Sequence, residues 1–308
     1  MLVNAARDED RATLSTDVHD GVVREMAAFM SSTIASYGDK FESEGVYNPE
    51  LLAVYDALVW GFNSPFLWRI TQEDVSSLYR ANVSRNHCEI AVGTGLHLSK
   101  VIPLIREITL IDLNENCLRV CEERIMNDHH DEDGNVARPV ISKLVVDIAE
   151  QPPSPGEDAG YTSQLTPLQG KFQSVGVNFL FHCLHGSNLY DKVDAFRNCA
   201  SLLDPEDGVF FGSTILGKEI LNDEDSAGET SIRALGALNS MGVFGNLGDS
   251  LIDLDRILRD IFNYVNVRRI GYCGVWEAAH PKVEMATRYQ AREDPMTNGC
   301  TIMNLPNL

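Results

Sequence analysis

Residues 87–99, H-C-E-I-A-V-G-T-G-L-H-L-S, decide how the rest of the chain is read. A short apolar run carrying one acid, Glu89, leads directly into a glycine turn at Gly93 and Gly95. An amphipathic segment follows at once, with Leu96, Leu98, Val101, Ile102 and Leu104 as its apolar positions. Strand, glycine loop and helix entry in that order open a nucleotide-binding α/β unit. Glycine is needed in such a loop because a side chain would hold the backbone away from a ligand. The nicotinamide-dinucleotide version requires a third glycine where this chain has Leu98. What stands instead is E-x-A-x-G-x-G, with an acid in the strand and Ala91 ahead of the glycines.

Toward the N-terminus the chain reads as helical. Residues 1–18 are polar and read as a flexible terminus. Val22, Val23, Met26, Phe29, Met30 and Ile34 recur at helical spacing, and Gly38 sits where a helix would stop. Asn48-Pro49 is an N-cap with proline at the first helical position, opening P-E-L-L-A-V-Y-D-A-L-V-W. That helix is expected to break at G-F-N-S-P (61–65) and resume as F-L-W-R-I. Thr71 and Asp74 form a capping-box pattern for a third helix through Tyr79. Residues 19–83 are therefore assigned to a helical cap or lid.

Toward the C-terminus strands and helices alternate. Residues 107–113, E-I-T-L-I-D-L, form a strand carrying Asp112, which lies 112 − 95 = 17 residues past Gly95. That approaches the spacing of roughly 20 at which an acid reaches a ribose diol. A helix at 114–127 and a charged surface turn, D-H-H-D-E-D-G-N, come next. A third strand then ends in Asp147, before a Pro-, Gly- and Ser-rich insertion at 151–170. Further strands are expected at 172–180 and 208–214, a helix at 251–262, and a closing strand pair from Y-V-N-V-R-R-I and Y-C-G-V-W-E-A. The expected fold is a doubly wound, Rossmann-like, seven-stranded and mostly parallel sheet over residues 84–280, followed by a surface-draped tail at 281–308. In such sheets ligands bind beyond the carboxyl ends of the strands, where Asp112, Asp147 and Asn178 fall beside the glycine loop.

Composition narrows the partners. A formal charge of −20 over 308 residues gives no basic footprint, which excludes a nucleic-acid partner. Seven cysteines show no C-x-x-C pair and form no even disulfide framework, so no metal is expected and the thiols read as reduced core residues. No signal core or run of transmembrane length is present, which points to a cytoplasmic protein away from the membrane. A homodimer is the common arrangement for such enzymes.

Beyond these motifs, the phrases V-Y-D-A-L-V-W-G-F-N-S-P-F-L-W, E-I-A-V-G-T-G, L-I-D-L-N, V-G-V-N-F-L-F-H-C-L-H-G and G-S-T-I-L resemble the class I S-adenosylmethionine-dependent methyltransferases. The similarity is to their small-molecule branch in microbial and fungal secondary metabolism, and it covers about residues 50 to 280. It implies S-adenosylmethionine as cofactor and methyl transfer to a small acceptor, polyketide-like or peptide-derived. It places Glu89 and Gly93-Thr94-Gly95 at the methionine moiety, with Asn178 alongside. Asp112 falls at the ribose with Leu113 beside the adenine, Asp147 at the adenine amino group with Ile148 packed nearby, and Tyr55 and Trp68 over the cofactor. Ala91, where the family has glycine, is read as a strand residue whose methyl crowds the cofactor.

His182 and His185, in H-C-L-H just after the fourth strand, are the candidate catalytic residues. An imidazole titrates near neutral pH and can serve as a base or substrate hydrogen-bond partner, and a structural hydrogen bond is the alternative role for each. Trp60, Phe66, Phe179 and Phe181 are candidate walls for the acceptor, with core packing as the alternative that their spacing equally allows. No G-x-S-x-G elbow accompanies Ser213 or Thr214, which argues against an esterase. A methyltransferase-like cyclase using the cofactor non-reactively, or a non-catalytic binding partner, would use the same pocket and stay open at this point.

Overall fold

The structure is a computed structural model that describes residues 47–127, 138–150, 163–223 and 228–282. The helix expected from the stripe at 22–34, the charged turn after Asn127, the first part of the 151–170 insertion and the tail lie outside the described residues.

Alternation along the strands divides the core into two layers. β1 (Asn86–Ile90) turns Cys88 and Ile90 into one apolar cluster and His87 and Glu89 to the opposite face. β5 (Val209–Ile215) splits its adjacent Phe210 and Phe211 in the same way, and the His87 ring stacks on Phe211 with centroids 5.9 Å apart. Helices therefore cover both faces, as a parallel sheet requires. With β2 (Glu107–Asp112), β3 (Val140–Val145), β4 (Ser174–Asn178), β6 (Phe262–Ile270) and β7 (Cys273–Pro281), the strand order is β3-β2-β1-β4-β5-β7-β6. The first five strands are parallel, and β7 runs antiparallel to both β5 and β6. The order reverses between β1 and β4, the switch point at which such sheets open a crevice.

In the cap, α1 (Pro49–Tyr55) starts where Asn48 Oδ1 accepts the Leu51 N–H at 2.8 Å. The expected break at 61–65 does not occur. A π-helical segment, Asp56–Leu67, runs straight through it. Pro65 has no N–H to offer and its ring would collide with the carbonyl four residues back, so the winding widens. The segment ends with the Trp68 N–H on Asn63 O, 3.1 Å away and five residues back. α2 (Gln72–Asn82) begins with the predicted capping box of Thr71 and Asp74, and continues three residues past Tyr79. α3 (Leu96–Ser99) and α4 (Glu115–Asn127) flank the glycine loop, and α5 (Val193–Leu202), α6 (Gly217–Leu221) and α7 (Gly228–Ser240) follow. α8 (Leu251–Ile261) buries Leu254, Ile257, Leu258 and Ile261, one face at helical spacing. Among the described residues no helix is long and apolar enough to cross a membrane, and the six described cysteines are free thiols.

Candidate active site

β1 ends at Ile90, and the next residue, Ala91, has φ +56°. Ala91 is therefore not a strand residue. Glycine suits this position because the backbone is left-handed there, and alanine holds it under strain. Gly93 and Gly95 follow at φ +51° and +70°. A Cβ on Gly95 would stand 2.6 Å from Cys121 Sγ, so this glycine lets the loop close onto α4. A Cβ on Gly93 would meet nothing within 4 Å, since the loop there faces open space.

That space is a cavity of about 740 Å³, within the usual range for a small-molecule site. Every predicted cofactor residue except Trp68 lines it. Thr94 fastens the loop to the cap. Its hydroxyl donates to Asp56 Oδ1 at 2.6 Å, and Arg124 donates to Asp56 Oδ2 at 2.6 Å and to Thr94 Oγ1 at 3.3 Å.

Glu89, 3% exposed, owes its place to register. It pairs with Gly176 on β4, where a Cβ would come within 2.5 Å of Glu89 Oε2. His87, two residues back on the same face, pairs with Ser174 and meets its Oγ at 2.8 Å through Nδ1. The Ser84 N–H donates to Ser174 Oγ at 2.9 Å, and His87 Nε2 lies 2.9 Å from Glu89 Oε2. Tyr79 donates from the cap to Glu89 Oε1. The carboxylate is thus held from both sides before any ligand arrives.

At the other strand ends, Asp112 Oδ1 accepts the Asn114 N–H at 2.9 Å. Burial pushes the Asp112 carboxyl up to about 6, opposed by the N–H groups of Asn114, Gly93, Val92 and Leu113. Asp147 stands two residues beyond β3, exposed, with Oδ1 accepting the Ala149 N–H at 2.9 Å, and Ile148 is buried beside it. Asn178 Oδ1 accepts from Ser213 Oγ at 2.8 Å, while its buried Nδ2 stands toward the Tyr79 hydroxyl without a close hydrogen bond. An unpaired buried donor costs about 1–3 kcal/mol, so a ligand acceptor is expected at Nδ2. The donor set therefore fits an adenosine at Asp112 and a polar tail at Glu89 and Asn178.

No family model matches the sequence. The chain is 31% identical over 215 residues to the N-methyltransferase vrtF of Penicillium aethiopicum, a match covering 70% of this chain and 77% of that protein. It is 30% identical over 241 residues to the Physcion biosynthesis cluster O-methyltransferase of Aspergillus chevalieri, covering 77% and 95%. The chain belongs to the S-adenosylmethionine-dependent methyltransferases of secondary metabolism. The methyltransferase also shares its fold with an O-methyltransferase family protein from Burkholderia thailandensis, at TM-score 0.52 and 15% identity over 87% of this chain and 73% of that one.

Four expected site residues stand elsewhere in the methyltransferase. Trp68 is 2% exposed and tilted against Phe244, and its carbonyl accepts the Tyr272 N–H at 3.0 Å. The π winding turns it into the core. His182 does not reach the cavity; its ring is wedged among Phe179, Phe244 and Thr214, whose Oγ1 is 3.3 Å from Nδ1. Burial pushes His182 down to about 3, so it stays neutral and structural. Phe181 is fully buried and stacked on Phe196, and Phe66 is exposed beside Phe62.

His185 does line the cavity, as do Trp60 and Phe179, which meet edge-on at 4.8 Å. Residues the sequence reading did not single out also contribute: Tyr47, Tyr79, His97 and Cys183. Tyr79 lies on the buried face of α2, a position that periodicity assigns to core.

Proposed function

We propose that the methyltransferase holds the adenosine of S-adenosylmethionine against Asp112, Leu113, Asp147 and Ile148. The methionine part lies along the glycine loop, Glu89 and Asn178, under Tyr55. A small, largely apolar acceptor rests against Trp60 and Phe179. The observation that carries this reading is the convergence of three strand ends and the glycine loop on one cavity with an aromatic wall.

Bound there, S-adenosylmethionine supplies an electrophilic methyl carbon on a sulfonium. The residues around it align an acceptor lone pair with that carbon and keep water out, and positioning of this kind replaces much of the entropic barrier. Trp60 and Phe179 offer flat surfaces to an aromatic or polyketide-like ring. The acceptor gives up a proton, and His185, exposed at the cavity wall, is placed to take it from a hydroxyl or amine. Oxygen and nitrogen both remain as acceptor atoms, because the relatives named above carry one of each. Neither cyclisation without methyl transfer nor a purely binding role has an observation in its favour.

Turnover with labelled S-adenosylmethionine and a panel of small hydroxylated and amine-bearing natural products tests the reading. A mass gain of one methyl group with matching S-adenosylhomocysteine is expected. Product formed without either would overturn methyl transfer. His185→Ala should lower turnover with cofactor affinity unchanged, and an unaltered rate would leave positioning as the whole mechanism.

A further inference from the structure

His97 is 4% exposed, lies in the cavity wall and is used by nothing described so far. Its Nδ1 is 3.0 Å from Ser76 Oγ on α2, and the Lys100 ammonium donates to that same oxygen at 3.1 Å. An ammonium only donates, so Ser76 accepts from Lys100 and turns its own hydrogen toward Nδ1. The ring proton then sits on Nε2. In the opposite tautomer the Ser76 hydrogen and the Nε2 lone pair would both lack partners. Nε2 is buried and makes no hydrogen bond within the chain. Burial, reinforced by the positive fields of Lys100 and Arg124, holds His97 down to about 3, which makes it a neutral N–H donor and no base near pH 7.

Position and charge narrow what this donor meets. Tyr79 links it to Glu89: the phenol donates to Glu89 Oε1, and the ring stacks on His97 with centroids 5.9 Å apart. One aromatic residue thus carries an anion on one side and a donor in a positive field on the other. An amino-acid zwitterion presents the matching pair, an ammonium and a carboxylate. Resting on the cofactor site proposed above, we infer that His97 Nε2–H binds the carboxylate of the cofactor's methionine tail, while Glu89 faces its ammonium.

Calorimetry with two ligands tests this without any acceptor: S-adenosylhomocysteine, and its decarboxylated analogue, which keeps the amine and lacks the carboxylate. His97→Phe should weaken S-adenosylhomocysteine at least tenfold and the analogue less than twofold, and His97→Gln, which retains an N–H, should recover part of the loss. Equal losses for both ligands, or no loss for S-adenosylhomocysteine, would overturn the assignment and leave the N–H facing the Trp60 ring, 4.2 Å away edge-on. If neither variant folds, 15N spectra of the wild-type imidazoles decide: the Nε2–H resonance of His97 should shift with S-adenosylhomocysteine and stay with the analogue, and the same shift with both refutes the contact. Failure of the wild-type protein to bind S-adenosylhomocysteine at all would instead sink the cofactor site itself.

Discussion

Asp112 gives the site a pH dependence that calorimetry can measure. Its carboxyl sits near 6 in the free protein because it is buried at the end of β2. Ribose hydroxyls donate to a carboxylate, so binding selects the ionised form. Below that pH the protein must release a proton to bind. The dissociation constant for S-adenosylhomocysteine should then grow by the factor 1 + 10^(6 − pH), which is near unity at pH 7.5 and about elevenfold at pH 5, or about 1.4 kcal/mol. Asp112→Asn should flatten that profile and weaken binding at pH 7.5 by about 1.5–3 kcal/mol, the usual worth of a hydrogen bond to a charged group. Stability moves the other way. The folded carboxyl binds its proton more tightly than the unfolded one, so its contribution is complete below about pH 4 and is lost as pH rises through about 6. The free Asp112→Asn protein should therefore be at least as stable as the wild type at pH 7.5, while binding worse. Burial also pushes Asp249 up to about 6, but it pairs with Lys192 away from the cavity and is common to both proteins. A flat wild-type profile together with unchanged affinity in the variant would refute the assignment of Asp112 to the ribose.

Three further outcomes are expected. Gly176→Ala would drive a Cβ to 2.5 Å from Glu89 Oε2, so cofactor affinity should fall tenfold or more while the fold persists; a variant with wild-type affinity would show that Glu89 is not held for the ligand. Ala91→Gly relieves a left-handed alanine worth about 1–2 kcal/mol, offset by about 0.5–1 kcal/mol of backbone entropy, so thermal unfolding should report unchanged or slightly raised stability. A clear loss would mean that the alanine methyl is needed for packing. Lys192→Met strands Asp249, which now meets the ammonium at 2.9 and 3.2 Å with both side chains fully buried, and denaturant unfolding should show about 3–5 kcal/mol lost. A loss below about 1 kcal/mol would contradict that pairing.

The parts of the site that lie on strands were legible because strand chemistry is local. Alternation puts His87 and Glu89 on one face whatever the partner strands do, and an acid at a strand end faces the crevice by topology alone. Ala91 was misplaced by one residue because where the strand stops and the left-handed turn begins depends on pairing: the Ala91 N–H still reaches Ile111 O at 2.8 Å, while its φ has already turned positive. Trp68 was misassigned for a different reason. The resemblance that puts it over the cofactor names a residue without its direction, and the π winding that runs through Pro65, where a break is expected, leaves the side chain in the core. His182 and His185, three residues apart, looked alike in sequence. The packing of Phe179, Thr214 and, from a distant loop, Phe244 around His182 separates a sealed imidazole from an open one. His97 carried no signal, because a histidine between two leucines reads as apolar filler until Ser76 and Lys100 are seen to fix its proton.

The cap is built into the site more deeply than its apolar stripe suggests. A lid that rested on the pocket by hydrophobic contact alone would leave the glycine loop intact when removed. Here Asp56 receives both Thr94 and Arg124, Tyr79 donates to Glu89, Ser76 orders His97, and the Leu67 carbonyl accepts from Ser231 on α7 at 2.7 Å. The bonds of Asp56, Tyr79 and Ser76 reach Thr94, Glu89 and His97 in the cavity wall, and that of Leu67 ties the segment to α7. The bonds of Tyr79 with Glu89 and of Ser76 with His97 are buried, and such bonds are satisfied together or cost more than they contribute. The half-buried Asp56 holds the loop, so the loop, the carboxylate and the cap are positioned as one unit. Sequence reading sees the two halves separately, since 19–83 ends before the glycine motif begins; the polar bonds between them, which no periodicity encodes, make them one site.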